Sequence, residues 1–130
     1  MACGRCQQRA PAFTETCAAF AYAFPVDMAI GRWKYGQQLL WVDGLARCWL
    51  AEDLIRERPQ ALLPVPLHWR RMWSRGFNQA GLLADCWGRL VGIPVLHRQA
   101  KRVRYTAQQA GRSPGERRSN LVGAFAVKPL

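Results

Sequence analysis

The sequence predicts an α/β domain built on a parallel sheet, and three features predict it. Ala61-Leu62-Leu63-Pro64-Val65-Pro66 is a short apolar run of strand length, Gln79 to Val91 carries apolar residues at helical spacing, and Pro94-Val95-Leu96-His97 is apolar again. A strand, a helix and a second strand in this order form a crossover unit, whose strands pair in parallel. With 130 residues, 50% of them hydrophobic and six of them Trp, the chain has the length of one domain and the material for a core.

The remaining elements follow in order. Residues 1–14 read as an irregular N-terminal segment. From Thr16 to Phe24 the pattern alternates, with Phe20, Tyr22 and Phe24 on one face and small Ala residues on the other, as in a strand stopped by Pro25. Val26 to Tyr35 fits a short helix opened by Asp27. Gln37 to Arg58 is the longest helical pattern: Leu39, Val42, Leu45, Ala46, Trp49 and Ile55 recur near helical spacing, and Pro59 closes it. Pro64 keeps the strand 61–66 short, and a polar, cationic stretch from Leu67 to Gln79 follows it. In the helix 79–91, Leu82, Leu83, Cys86 and Leu90 point inward and Gly92 ends it. Residues 99–120 are polar and without period, which predicts a long loop, and Gly123 to Val127 begins one more strand. Trp33, Trp41, Trp49 and Trp87 fall on helical patterns and are expected in the core.

Charge is unevenly placed. The formal net charge is +11, and residues 67–130 hold twelve basic residues against two acidic ones, Asp85 and Glu116. Such a field attracts polyanions: phosphate groups, nucleotides or nucleic acid. No apolar run reaches the roughly 18 residues of a membrane span, and no apolar stretch follows the cationic N-terminus as it would in a secretory signal, so a soluble cytoplasmic protein without membrane insertion is expected. Five cysteines, an odd number, argue against a disulfide framework. Cys48 and Cys86 lie on apolar helix faces, and Cys17 precedes the alternating segment. Cys3-Gly4-Arg5-Cys6 places two thiolates where they can meet one Zn²⁺, but supplies only half of a four-ligand site.

The familiar catalytic sets are missing. Ser74, Ser113 and Ser119 lack nucleophile-elbow surroundings, His68 and His97 have no carboxylate partner evident in the sequence, and Glu52-Asp53 reads as a solvated helix face. Neither a Walker motif nor a G-x-G-x-x-G is present. What the sequence does offer is anion-binding equipment. Arg70, Arg71, Arg75 and Gly76 lie between a strand and a helix, where a turn aims backbone N–H groups at an anion and guanidinium forks match phosphate oxygens. Ligands of open α/β sheets bind at the carboxyl ends of the strands, so this segment and the basic segment 99–120 are expected to face one mouth. Trp69, Trp73 and Tyr105 lie in or beside the two segments and suit stacking on single-stranded nucleic acid.

Val65-Pro66-Leu67-His68-Trp69-Arg70-Arg71 followed by Arg75-Gly76-Phe77-Asn78-Gln79 resembles the ComF/GntX family of predicted phosphoribosyltransferases. Arg98, Arg102 and Arg104, Thr106-x-x-Gln109, Arg117 and Asn120-Leu121-Val122-Gly123-Ala124-Phe125 extend the likeness, as do Cys3-x-x-Cys6, Tyr22-x-x-Pro25 and Lys34-Tyr35 upstream. The resemblance implies a type I phosphoribosyltransferase-like parallel sheet over residues 15–130, incomplete, after a remnant zinc-ribbon-type segment over 1–14. It implies a link to natural competence and DNA uptake. By position, Arg70, Arg71, Arg75 and Gly76 match the loop that binds pyrophosphate or phosphate, and Arg102, Arg104, Gln109, Arg117 and Asn120 fall in the flexible lid loop. The resemblance implies that a complete homologue, if an enzyme, would use Mg²⁺ with phosphoribosyl pyrophosphate, and Cys3 and Cys6 would give Zn²⁺ an incomplete site. The family pattern also has an earlier cysteine pair and a later Asp-Asp and Thr-Thr-Gly element that holds ribose and 5′-phosphate. Neither is found in this sequence, so the resemblance implies a chain missing both ends and incompetent for transfer. Its expected partners are phosphoribosyl pyrophosphate or pyrophosphate, with single-stranded DNA or proteins of the competence machinery. The alternative is a non-catalytic basic module that handles DNA or binds a protein partner.

Overall fold

The computed structural model describes residues 8, 10, 12–18, 20–36, 40–48 and 58–129. Its elements are α1 (Val26–Gly36), α2 (Leu40–Cys48), α3 (Trp69–Arg75), α4 (Gln79–Val91), β1 (Ala100–Arg102), α5 (Pro114–Leu121) and β2 (Phe125–Val127). Helix and sheet are therefore mixed, as an α/β class requires.

Two prolines decide how far the parallel pairing runs. The Leu62 N–H donates to the Pro94 carbonyl at 2.9 Å, and the Leu96 N–H donates to the Leu62 carbonyl at 2.8 Å. This is the slanted pattern of a parallel pair, with Leu62 opposite Val95. The next rung would need an N–H from residue 64 on one side or residue 94 on the other, and both are proline, which has none. The two predicted strands consequently meet as a single bridge, with α4 as the crossover between them.

Helix α4 has the predicted bounds because both ends are encoded locally. Asn78 Oδ1 accepts from the Ala80 N–H at 3.2 Å, and Gly92, at φ 72°, turns the chain out of the helix in the left-handed region. The core joins Trp33 of α1, Val42 and Ala46 of α2 and Cys86 of α4, with Phe77, Leu82, Leu83 and Trp87 packed against them. The Trp87 indole Nε1 donates to the Ala46 carbonyl at 2.8 Å, fixing α4 on α2. Leu90, expected inward, is exposed, one turn beyond the buried Cys86 and next to the end of α4 at Val91. Cys48 is exposed as well. It lies two residues past Ala46, about 200° around the helix from the buried face.

Three other expectations change. The alternating segment 16–24 forms no strand among the described residues; Phe20, Tyr22 and Phe24 are exposed, and the segment ends in turns at Ala23 and a cis Phe24–Pro25 peptide. Without a partner strand, alternation alone does not make a sheet. The cationic stretch after Pro66 is not a turn but α3, and Gly76, at φ 79°, ends it with its N–H on the Met72 carbonyl at 2.7 Å. Nor is 99–120 a single loop. It contains β1, which pairs antiparallel with β2 in the register Ala100–Val127, Lys101–Ala126 and Arg102–Phe125, and the start and body of α5. The strand expected at 123–127 is present as β2. Helix α5 opens with a capping box: the Ser113 side chain accepts from the Glu116 N–H, and the Glu116 carboxylate accepts from the Ser113 N–H at 2.8 Å.

Cys3, Cys6, Glu52, Asp53 and the parts of the long helical pattern at 37–39 and 49–57 lie outside the described residues, as do the side chains of Trp41 and Leu45. No helix among the described residues is long and apolar enough to cross a membrane.

The return of the chain after α4 depends on Gly88. A Cβ there would lie 2.7 Å from the Ile93 carbonyl oxygen and 2.7 Å from Val95 Cγ2, whereas one on Gly44, exposed in α2, meets nothing within 4 Å. Gly88→Ala is expected to destabilise the fold by about 1–3 kcal/mol. Gly44→Ala is expected to stabilise it by about 0.5–1 kcal/mol through helix propensity. Urea denaturation of the two variants beside the parent chain checks both signs.

Candidate anion-binding site

The site begins with a histidine that starts a helix. His68 caps α3 by accepting the Arg70 N–H on Nδ1 at 3.3 Å, and it is buried, 6% exposed. Its ring lies 5.6 Å from Trp69 and meets Tyr105 edge-on at 5.3 Å. Tyr105 comes from the second basic segment, so the two segments predicted to face one mouth do meet here. The Arg70 guanidinium stands 5.3 Å from the Trp69 ring and 5.6 Å from the Tyr105 ring, and that of Arg71 stands 5.7 Å from Tyr105. Positive charge over an aromatic face is a favourable arrangement.

Thr106 ties the arrangement together. It is 3% exposed; its carbonyl accepts from Arg71 Nη2 at 2.9 Å, and its hydroxyl accepts from Arg102 Nη2. Arg102 is half-buried, and its Nε is buried without a hydrogen-bond partner. Burial, and then the charge of Arg71, push the Arg102 pKa down. Burial is also the first cause that lowers the His68 pKa, followed by Arg70, Arg102 and Arg71. A neutral His68 suits the cap, since Nδ1 accepts the Arg70 hydrogen bond only when unprotonated. The acidic residues of this half are engaged elsewhere. Asp85 Oδ1 lies 2.6 Å from His97 Nε2, and Glu116 closes its capping box. Three guanidinium groups therefore gather around Tyr105 and Thr106 without a carboxylate from residues 67–130.

The other predicted site residues divide between two duties. Arg75 lies one helical turn beyond Arg71 on α3, and Gly76 ends that helix. Arg104 Nη2 donates to the Asn120 and Val122 carbonyls at 2.9 and 2.7 Å, a cation on the carbonyls at the end of α5. Asn120 Nδ2 donates to the Ala107 carbonyl at 3.0 Å, Gln109 Nε2 to the Arg117 carbonyl at 3.5 Å and Arg117 Nε to the Arg112 carbonyl at 2.9 Å. Of the second segment, Arg102 joins the arginine cluster, while these four hold the stretch 104–122 to itself. Sequence reasoning also missed the Asp85–His97 pair, twelve residues apart, which forms because the crossover returns the chain past α4.

Beside the cluster lies an open groove of about 500 Å³. Trp69, Met72 and Trp73, at helical spacing on α3, line it together with His97, Lys101 and Arg102. Among the described residues no three His, Cys, Asp or Glu side chains are grouped to hold a metal ion.

No protein-family model and no solved structure matches the chain. Among curated proteins it is 39% identical over 96% of its length to competence protein F of Haemophilus influenzae. The chain is a relative of competence protein F. It is also 33% identical over 97% of its length to DNA utilization protein YhgH of Escherichia coli K12 and of Salmonella typhimurium LT2. These identities bear out the ComF/GntX resemblance read from the motifs. The chain spans 57% of the length of competence protein F and 58% of each YhgH protein.

The buried cap gives stability a pH dependence with a definite sign. His68 ordinarily titrates at 6.5 and is held lower in the fold, so the unfolded chain takes up a proton first on acidification. Its contribution is complete above pH 6.5 and is lost as pH falls from 6.5 toward the folded value. Glu116, held below its ordinary 4.5 first by the Ser113 N–H, loses its contribution only as pH falls below that value. The urea midpoint is expected to fall between pH 7 and 5, and His68→Asn, which keeps a capping oxygen, is expected to flatten that slope. An unchanged slope in the variant excludes His68 as its source.

Proposed function

We propose that the chain is the anion-binding part of a phosphoribosyltransferase-like protein of DNA uptake, in which Arg70, Arg71, Arg75 and Arg102 hold the pyrophosphate or phosphate of the ligand. The observation that carries this reading is the convergence of Arg70, Arg71 and Arg102 on Tyr105 and Thr106, with Asp85 and Glu116 engaged elsewhere. Guanidinium groups fixed at neutral acceptors keep their charge for a polyanion. The names of the relatives, competence protein F and DNA utilization protein, support the association with DNA uptake. A single parallel bridge crossed by α4, with the arginines following its first strand, is compatible with the proposed fold.

The same residues do not fit a Mg²⁺ site of their own. Hard cations need oxygen ligands, and the carboxylates of this half are committed to His97 and to the α5 cap. The role proposed for these residues is binding of the phosphate groups. Cys3 and Cys6 would supply two of the four ligands that a structural Zn²⁺ needs. A second reading, a non-catalytic module on a DNA strand, is favoured by the twelve basic and two acidic residues of 67–130.

Calorimetric titration with phosphoribosyl pyrophosphate and Mg²⁺, and with pyrophosphate alone, separates the readings. Saturable binding is expected, weakened on the order of tenfold in Arg70→Ala through loss of a charged hydrogen bond. Preference for phosphoribosyl pyrophosphate over pyrophosphate supports the enzyme-like reading, and strand binding that drops steeply with salt supports the second. An Arg70→Ala chain that melts like the parent and binds undiminished overturns this assignment of the site.

A further inference from the structure

The groove beside the arginines is walled by aromatic surface that the fold leaves open. Trp69 is 61% and Trp73 87% exposed, although large aromatic side chains bury more surface than almost any others when a core takes them. They share a face of α3 with Met72, and Lys101 and Arg102 line the same groove. An aromatic platform beside two cations, one of them held by Thr106, matches a planar base that carries a phosphate: the ring stacks while the phosphate meets the cations.

Two polar side chains of the groove, Asn78 and His97, already have partners within the fold. Asn78 Nδ2 donates to the Val65 carbonyl at 3.1 Å, Asn78 Oδ1 accepts from the Ala80 N–H, and His97 Nε2 is held by Asp85. Base edges are read by hydrogen bonds from such groups, whereas every base offers a face for stacking. We propose that the groove of Trp69 and Trp73 is a nucleobase-stacking subsite that takes a nucleotide unit without regard to base identity. The proposal rests on the phosphate-binding reading above, because Arg102 belongs to both sites.

Trp73 is the residue to test, since its exposure leaves the fold little to lose. Tryptophan fluorescence and calorimetry would follow binding of a ten-residue oligo-dT, a ten-residue oligo-dA, an abasic strand of equal phosphate number, dTMP and pyrophosphate. The parent chain is expected to bind both oligonucleotides alike, and on the order of tenfold more tightly than the abasic strand. Trp73→Ala is expected to erase that advantage while leaving abasic-strand and pyrophosphate binding unchanged, and Trp73→Phe to restore part of it. Trp73-dependent binding of dTMP would mark a free nucleotide as a sufficient ligand; the same dependence in the oligonucleotides alone would mark a strand. Equal affinity for oligo-dT and the abasic strand overturns the subsite while the phosphate site stands. A tenfold preference between oligo-dT and oligo-dA overturns its indifference to base identity. Absence of binding to all the probes overturns both sites.

Discussion

The buried Thr106 is the point on which the basic half of the molecule depends. Its carbonyl takes a guanidinium from α3 and its hydroxyl takes one from β1, so one small residue fixes two positively charged side chains from distant segments. Drawing two like charges together in a partly buried place is unfavourable, as the lowered Arg102 pKa records. Hydrogen bonds to Thr106, with the face of Tyr105 beside Arg71 and that of Phe125 beside Arg102, offset that repulsion. None of these partners carries a negative charge, and this choice of partners gives the site its character.

Local encoding separates what the sequence revealed of the fold from what it concealed. Helix α4 was legible to the residue because its cap, its apolar spacing and its terminal glycine lie within its own stretch. Helix α3 was hidden because its apolar face, Trp69, Met72 and Trp73, lines the groove rather than the core, and because histidine is not among the usual capping residues. Helix α5 is polar all round, so periodicity is silent there. Its one readable signal was Ser113-Pro114-Gly115-Glu116, a capping box with proline at the first position. In the segment 16–24 the alternation was real, but a strand also needs a partner.

The site was legible in outline and not in detail. That both basic segments reach one place followed from where α/β units carry their ligands. Which arginine of 98–117 belongs to the cluster did not, because it turns on the register of β1 against β2, which places Arg102 beside Thr106 and sends Arg104 to the end of α5. The pairing of Asp85 with His97 was likewise out of reach, since it exists only once the crossover has closed.

Preorganisation is the consequence of holding arginines through neutral acceptors. A carboxylate partner would fix a guanidinium equally well but would cancel its charge, and an incoming phosphate would have to displace or share that partner. A carbonyl and a hydroxyl hold the geometry and leave the field outward, so little reorganisation is needed when an anion arrives. The same economy limits what these residues suit: with Asp85 and Glu116 committed, the arrangement fits the proposed holding of a phosphate and offers no carboxylate as metal ligand or base. In the proposed reading, selectivity among phosphate ligands comes from whatever the phosphate carries. In this molecule the surface adjoining the cluster is aromatic, which suits a ring rather than a second charge.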